Sequence, residues 1–197
     1  MFIYNLMSNN FNFEKFIFER NNYVNDLLLD DVVEYYKELY EKDKYCEFAI
    51  MYDETLSKFK SYLLKEMTNA LYLYNTQISK YLTNENTKQY FRNTLLHAKL
   101  SNFKCNNRIF NNVEFDIIRE PKIIQSFDKS YSHKLILLKF ILFMNDYDGE
   151  IFIYNHKIIP RKGKLIIFPA SRTFPYQEIN SKTSQITTIS GFFYNTN

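Results

Sequence analysis

The stretch Pro160-Arg161-Lys162-Gly163-Lys164-Leu165-Ile166-Ile167-Phe168-Pro169 decides how the rest of the chain is read. Its first four residues have the chemistry of a turn, since proline fixes φ and glycine accepts backbone angles that side chains resist. Leu165 to Phe168 are continuously apolar, as expected of a strand covered on both faces. The chain has only three glycines, Gly149, Gly163 and Gly191. Ordinary usage at this length would give about fourteen. All three lie between Lys134 and Asn195, as do three of the four prolines.

Outward from that stretch the pattern is of short strands joined by turns. Lys134 to Met144 reads as a strand, Asn145-Asp146-Tyr147-Asp148-Gly149 as a turn, and Glu150 to Tyr154 as the next strand. Lys157 to Ile159, Lys164 to Phe168 and Gln185 to Tyr194 follow. Upstream, Pro121 to Asp128 is one more strand candidate. Phe103 to Asp116 offers two short ones, broken at Asn106-Asn107 and Asn111-Asn112, which look like turns.

Between Met1 and Glu120 there is no glycine and no proline. This composition favours helices, where both residues are costly. Leu28, Val32, Tyr35, Tyr36 and Leu39 recur at helical spacing, with Asp30 and Asp31 near the start of the pattern. Leu56, Phe59, Leu63, Met67, Ala70, Leu71, Tyr74 and Ile78 form a longer apolar stripe, with Asp53 as its cap. A third helix is predicted over Thr87 to Lys99, with Phe91, Leu95 and Ala98 inward and His97 near its C-terminal end. These stripes read as core packing rather than a cofactor site. The fold class is α+β, with residues 1–100 a helical region packed on a strand-built barrel or jelly roll of residues 101–197, together one compact domain.

Composition narrows the function classes. The chain is 46% hydrophobic, with 17 Tyr and 19 Phe, which is ample for a core. A net charge of +3 without a basic run gives no footprint for nucleic acid. The longest apolar run, Leu135 to Met144, contains Lys139 and falls short of the roughly twenty residues of a membrane span. No basic start followed by an apolar core marks the N-terminus as a secretory signal. The expectation is a soluble, cytoplasmic protein, or one made in a cell and packaged into a virus particle. Cys46 and Cys105 lack CxxC spacing and read as single thiols.

The second half resembles the iron- and 2-oxoglutarate-dependent dioxygenases, in their prolyl-hydroxylase-like branch of cells, phages and large viruses. The similarity runs from about Phe115 to Tyr194. It rests on Phe143-Met144-Asn145-Asp146, Asp148-Gly149-Glu150, Pro160 through Gly163, Phe168-Pro169 and Ser190-Gly191-Phe192-Phe193, in that order. The resemblance implies a double-stranded β-helix core in the C-terminal half, buttressed by the N-terminal helices.

The same resemblance implies where the chemistry should be, and there the residues differ. The family holds ferrous iron with two His and one carboxylate, leaving positions open for 2-oxoglutarate and oxygen. Its His-X-Asp/Glu motif falls on Ser126-Phe127-Asp128, so the acid is present and the imidazole is Ser. The distal His falls on Tyr176, or on Phe174 if the turn slips. A tyrosine serves ferrous iron poorly, because a phenol with pKa of about 10 must ionise. The cation that anchors 2-oxoglutarate lies five residues before Gly191, at Ile186, which carries no charge. The other histidines of this half, His133 and His156, are the candidate substitute ligands. Both also fit polar loop and turn positions. The nearby cations Arg172, Lys162, Lys164 and Lys182 read as solvated strand edges, with Arg172 also able to bind an anion in the pocket.

Three functional readings follow. The first is a non-catalytic member of this fold, a binding or structural module with a protein partner or self-assembly and no cofactor. The second is an active hydroxylase using Fe(II) and 2-oxoglutarate at a site built around Asp128 and His133. The third is a jelly-roll structural subunit of a virion type, unrelated to the family.

Overall fold

The run Lys134–Phe143 becomes the longest central strand of the protein, β5, because its side chains can be covered on both faces. Leu138, Phe140 and Leu142 point to one side, and Ile141 and Phe143 to the other. It pairs antiparallel with β10 (Ile186–Thr196) on one edge and β8 (Leu165–Pro169) on the other. The computed structural model describes residues 12–43, 47–49, 57–96, 98–100, 104–108, 134–171, 174–179 and 186–196.

Among these residues the chain runs β1 (Phe18–Arg20), α1 (Asp26–Asp43), β2 (Glu47–Ala49), α2 (Ser57–Ser79), α3 (Glu85–Leu96), β3 (Lys99–Leu100), β4 (Lys104–Arg108) and β5. It continues with β6 (Glu150–Ile153), β7 (His156–Ile158), β8, β9 (Tyr176–Ile179) and β10. The major sheet has the order β1-β8-β5-β10-β4-β2, with β3 also paired to β10. The minor sheet has the order β7-β6-β9. Every pairing is antiparallel.

Two apolar clusters follow from this alternation. One lies between the sheets and joins Ile141, Phe143, Ile166 and Phe168 to Ile151, Ile153, Ile158 and Tyr176. The other lies on the opposite face of the major sheet. There the α2 stripe Phe59, Leu63, Met67, Ala70, Tyr74 and Ile78 meets Leu138, Phe140, Leu142, Leu165 and Ile167. The architecture is therefore α+β, a jelly roll buttressed by helices. Asn25 caps α1 by accepting from Leu27 N–H at 2.9 Å, and Asn84 accepts from Thr87 N–H at 3.1 Å at the start of α3. On α1, Leu29 and Val32 are buried while Leu28 is only partly covered.

Several sequence expectations need correction. The first hundred residues are not helical throughout, because β1, β2 and β3 join the major sheet. Asn106-Asn107 is not a turn. Both residues lie inside β4, opposite Thr188 and Thr187 of β10, and Asn106 also faces Glu47 of β2. Pairing on both edges overrides the turn preference of asparagine. Tyr176 opens a strand, β9, where a turn was expected. The cap assigned to Asp53 and the strand expected over Pro121 to Asp128 lie outside the described residues, as does Cys46.

The deciding turn is built as its residues suggest. Gly163 has φ of +75°, and a Cβ there would stand 3.0 Å from the Val24 carbonyl oxygen. Its N–H donates to the Phe143 carbonyl at 2.9 Å, and its own carbonyl accepts from Tyr23 N–H at 2.7 Å. One residue thus ties β5, the turn and the approach to α1.

Candidate functional site

The space between the sheets is where the resemblance puts a metal and its cosubstrate, so its lining decides the chemistry. Cross-strand partners share a face, which lets the pairing assign orientations. Tyr176 sits opposite Ile153 of β6, and both belong to the cluster between the sheets. Ile186, at the start of β10, is 3% exposed and belongs to the same cluster. The structure therefore brings Tyr176 and Ile186 into one apolar core. Tyr176 lies stacked against Phe168, with 6.4 Å between ring centroids and 9° between planes. Phe174, the alternative for the distal position, is buried in that cluster too. Ser126, Asp128, His133, Arg172 and Lys182 lie outside the described residues.

A cation the sequence did not single out enters this space. Lys139 of β5 sits opposite Phe168 of β8 and Phe192 of β10, and its Nζ is 4.9 Å from the centre of the Tyr176 ring. Cation–π contact of this kind contributes about 0.5–2 kcal/mol, depending on desolvation. Its signal in the sequence was a charge inside an otherwise apolar strand.

His156 is placed elsewhere. It opens β7 opposite Ile153, so β6 separates it from Tyr176 by two strand spacings, roughly 10 Å. Its Nε2 lies 3.2 Å from Glu19 Oε2. The other carboxylate oxygen of Glu19 accepts from Lys164 Nζ at 2.6 Å. Glu19 shares a face with Ile166, its partner across β1 and β8, and so turns toward the gap between the sheets. Glu19, Lys164 and His156 together close that edge. Burial alone would raise the Glu19 carboxyl, but the bonds from Lys164 and His156 outweigh it and hold the group below its usual value.

One expectation about lysines is thereby overturned. Lys164 is 4% exposed and ion-paired, not a solvated edge residue. Its position has the parity of Ile166, which points inward, and only a partner can keep a buried ammonium stable. Lys162, by contrast, stays in contact with solvent and pairs with the exposed Asp30 of α1 at 2.5 Å.

The motif residues that persist are occupied in holding the frame. Asn145 Oδ1 accepts from Thr187 N–H at 2.7 Å, fixing the end of β5 to the start of β10. Asp146 Oδ1 accepts from Lys162 N–H at 2.9 Å, which ties the loop after β5 to the Pro160–Gly163 turn. A Cβ at Gly149 would overlap the ring of buried Tyr147. None of these roles needs a metal.

The donor set at the described positions does not fit the iron and 2-oxoglutarate of the resembled family. Tyr176 is committed to ring packing, and Ile186 has no charge for a carboxylate. Among the described residues no three His, Cys, Asp or Glu side chains gather as a metal site. No helix among them is long and apolar enough to cross a membrane.

A scan against protein-family models and a search of curated proteins both find no match. Solved structures do match. The viral collagen prolyl hydroxylase of Paramecium bursaria Chlorella virus-1 aligns over 92% of this chain and 90% of its own, with TM-score 0.54 and 10% identity. A prolyl-4-hydroxylase of Pseudomonas putida aligns over 91% and 88%, with TM-score 0.51 and 12% identity. A prolyl hydroxylase of Trichoplax adhaerens, solved with a hypoxia inducible factor peptide fragment, aligns over 97% and 86%, with TM-score 0.55 and 12% identity. Helices on one face of a major sheet, with a minor sheet opposite, thus define a double-stranded β-helix protein. More particularly, the chain has the prolyl-hydroxylase-like fold of the 2-oxoglutarate- and iron-dependent oxygenases.

Proposed function

We propose that this chain is a non-catalytic form of that fold, acting as a binding or structural module through a protein partner or through copies of itself. The observation that carries the reading is the burial of Tyr176 and Ile186 in one apolar core. The sequence resemblance puts the distal iron ligand and the cosubstrate anchor at these two positions. Fully covering an aliphatic or aromatic side chain stabilises the fold by about 1.5–3 kcal/mol, so packing gives these residues a use without chemistry. The retained Asn145, Asp146 and Gly163 agree, since each makes contacts that hold strands and turns together. Fold alone leaves activity open, because one architecture hosts many functions.

The second reading is a hydroxylase whose iron is held through Asp128 and His133. It draws support from the solved neighbours being prolyl hydroxylases, one of them in complex with 2-oxoglutarate. A turnover assay separates the two. The purified chain, supplied with Fe(II), ascorbate, oxygen and 2-oxoglutarate, is expected to release no succinate above a protein-free control. Release that Asp128→Ala abolishes would establish the hydroxylase instead.

A further inference from the structure

Where the pairing of β5 with β8 ends, residues of the helix-side core and of the core between the sheets meet around a cavity of about 360 Å³. Its origin is local. β8 pairs with β5 only as far as Pro169 opposite Leu138, although β5 begins at Lys134. On the other edge of β5 the register with β10 shifts, so that Phe193 faces Leu138 while Tyr194 faces Ile136, leaving Leu137 as an extra residue. Such a bulge bends its strand and loosens the ladder around it. Leu137 and Leu138 both line the cavity, together with Phe91, Thr94 and Leu95 of α3. Phe13, Phe16 and Phe174 bring a further wall from the cluster between the sheets, with Phe174 edge-on to the other two rings.

Leu95, Leu138 and Phe174 are buried, whereas Phe13, Phe16, Phe91, Thr94, Leu137 and Pro169 keep part of their surface in solvent. The rim is thus accessible from outside. None of these residues carries a charge, and polar groups at the wall are already engaged. The Thr94 hydroxyl donates to the Tyr90 carbonyl at 2.9 Å, and the Thr94 carbonyl accepts from Asn195 Nδ2 at 3.2 Å. The Leu137 carbonyl accepts from Ala170 N–H at 3.0 Å. A charged ligand, or a peptide with its backbone groups, would give up hydration here without compensation. An aromatic hydrocarbon gives up none and gains edge-to-face contacts with the phenylalanines. An apolar cavity of about 150 Å³ holds one benzene, so this one has room for two fused rings.

We propose that this cavity binds a neutral, wholly apolar molecule the size of two fused aromatic rings. The proposal goes beyond the reading above and does not rest on it. The test uses the full chain with isotope-labelled leucine methyls, titrated with naphthalene and with 2-naphthoate, its charged counterpart. Naphthalene is expected to give saturable shifts at Leu95, Leu137 and Leu138, and none at Leu142 and Leu165, core residues outside the cavity. The naphthoate should bind at least about tenfold more weakly, because its carboxylate must be desolvated. Leu137→Trp fills the space from a half-buried position and should weaken naphthalene binding at least about tenfold with the fold kept, as read from thermal unfolding. Thr94→Phe fills it from α3 and serves if the first variant fails to fold. Absence of saturable shifts with naphthalene would overturn the proposal. So would shifts spread equally to Leu142 and Leu165, equal affinity for the naphthoate, or undiminished binding in a folded filling variant.

Discussion

The ring of Tyr176 lies almost parallel to that of Phe168, one strand from each sheet, with Lys139 Nζ 4.9 Å from the Tyr176 ring centre. This contact joins the two halves of the jelly roll at Tyr176, where the sequence resemblance would put a distal imidazole. A residue that cements two sheets is not available to a metal without dismantling the packing around it. The neighbourhood of Ile186 reinforces the point, because it belongs to the same cluster.

Restoring a cation at 186 therefore tests whether the space is filled. Ile186→Lys is expected to lose about 3–5 kcal/mol in urea denaturation, as an uncompensated charge in an apolar core does. It should also gain no affinity for 2-oxoglutarate. Native-like stability together with new binding of that acid would mean that an open cleft had been waiting for its anchor.

The Glu19 cluster has a different signature. Glu19→Gln leaves the Lys164 ammonium buried without its counter-charge, and we expect a loss of about 2 kcal/mol. Glu19 is partly exposed, which keeps the figure below that of a wholly buried pair. Lys164→Met should cost less, since it removes the charge and keeps the packing. The sign of the pH effect follows from the depressed carboxyl. The pair's contribution is fully present above the unfolded carboxylate value of about 4.3 and is lost as pH falls through the lower folded value. Urea midpoints measured down that range should decline in the native chain more steeply than in Glu19→Gln.

Gly163→Ala probes the deciding turn. A side chain at φ of +75° is strained and would press on the Val24 carbonyl. The expected loss is about 1–3 kcal/mol, read from thermal or urea unfolding. An unchanged midpoint would show that the turn adapts, and that the scarcity of glycine is no guide to its positions.

How much of this was legible in the sequence depended on how local the cause was. The turns at Asn145 to Gly149 and Pro160 to Gly163, and the strands between them, carry their own glycine, proline and asparagine chemistry, and they fall where expected. The α2 stripe was equally plain, because burial there repeats with the helical period. What escaped was set by partners distant in the chain. Phe18–Arg20 is a strand because β8 offers it an edge, and nothing in three residues announces that. Lys164 looked solvated because its carboxylate partner is 145 residues earlier. Asn106-Asn107 looked like a turn until β10 paired with both residues and β2 with Asn106. At the site, the substitutions at Tyr176 and Ile186 were visible, but their common burial was not. Lys139 was read only as an interruption of an apolar run.

The most direct measurement is an anaerobic titration of the metal-free chain with Fe(II), with and without 2-oxoglutarate, followed by calorimetry. The account predicts no saturable heat at micromolar concentrations and no effect of the acid on it. One equivalent of iron bound with micromolar affinity, tightened by 2-oxoglutarate, would contradict it.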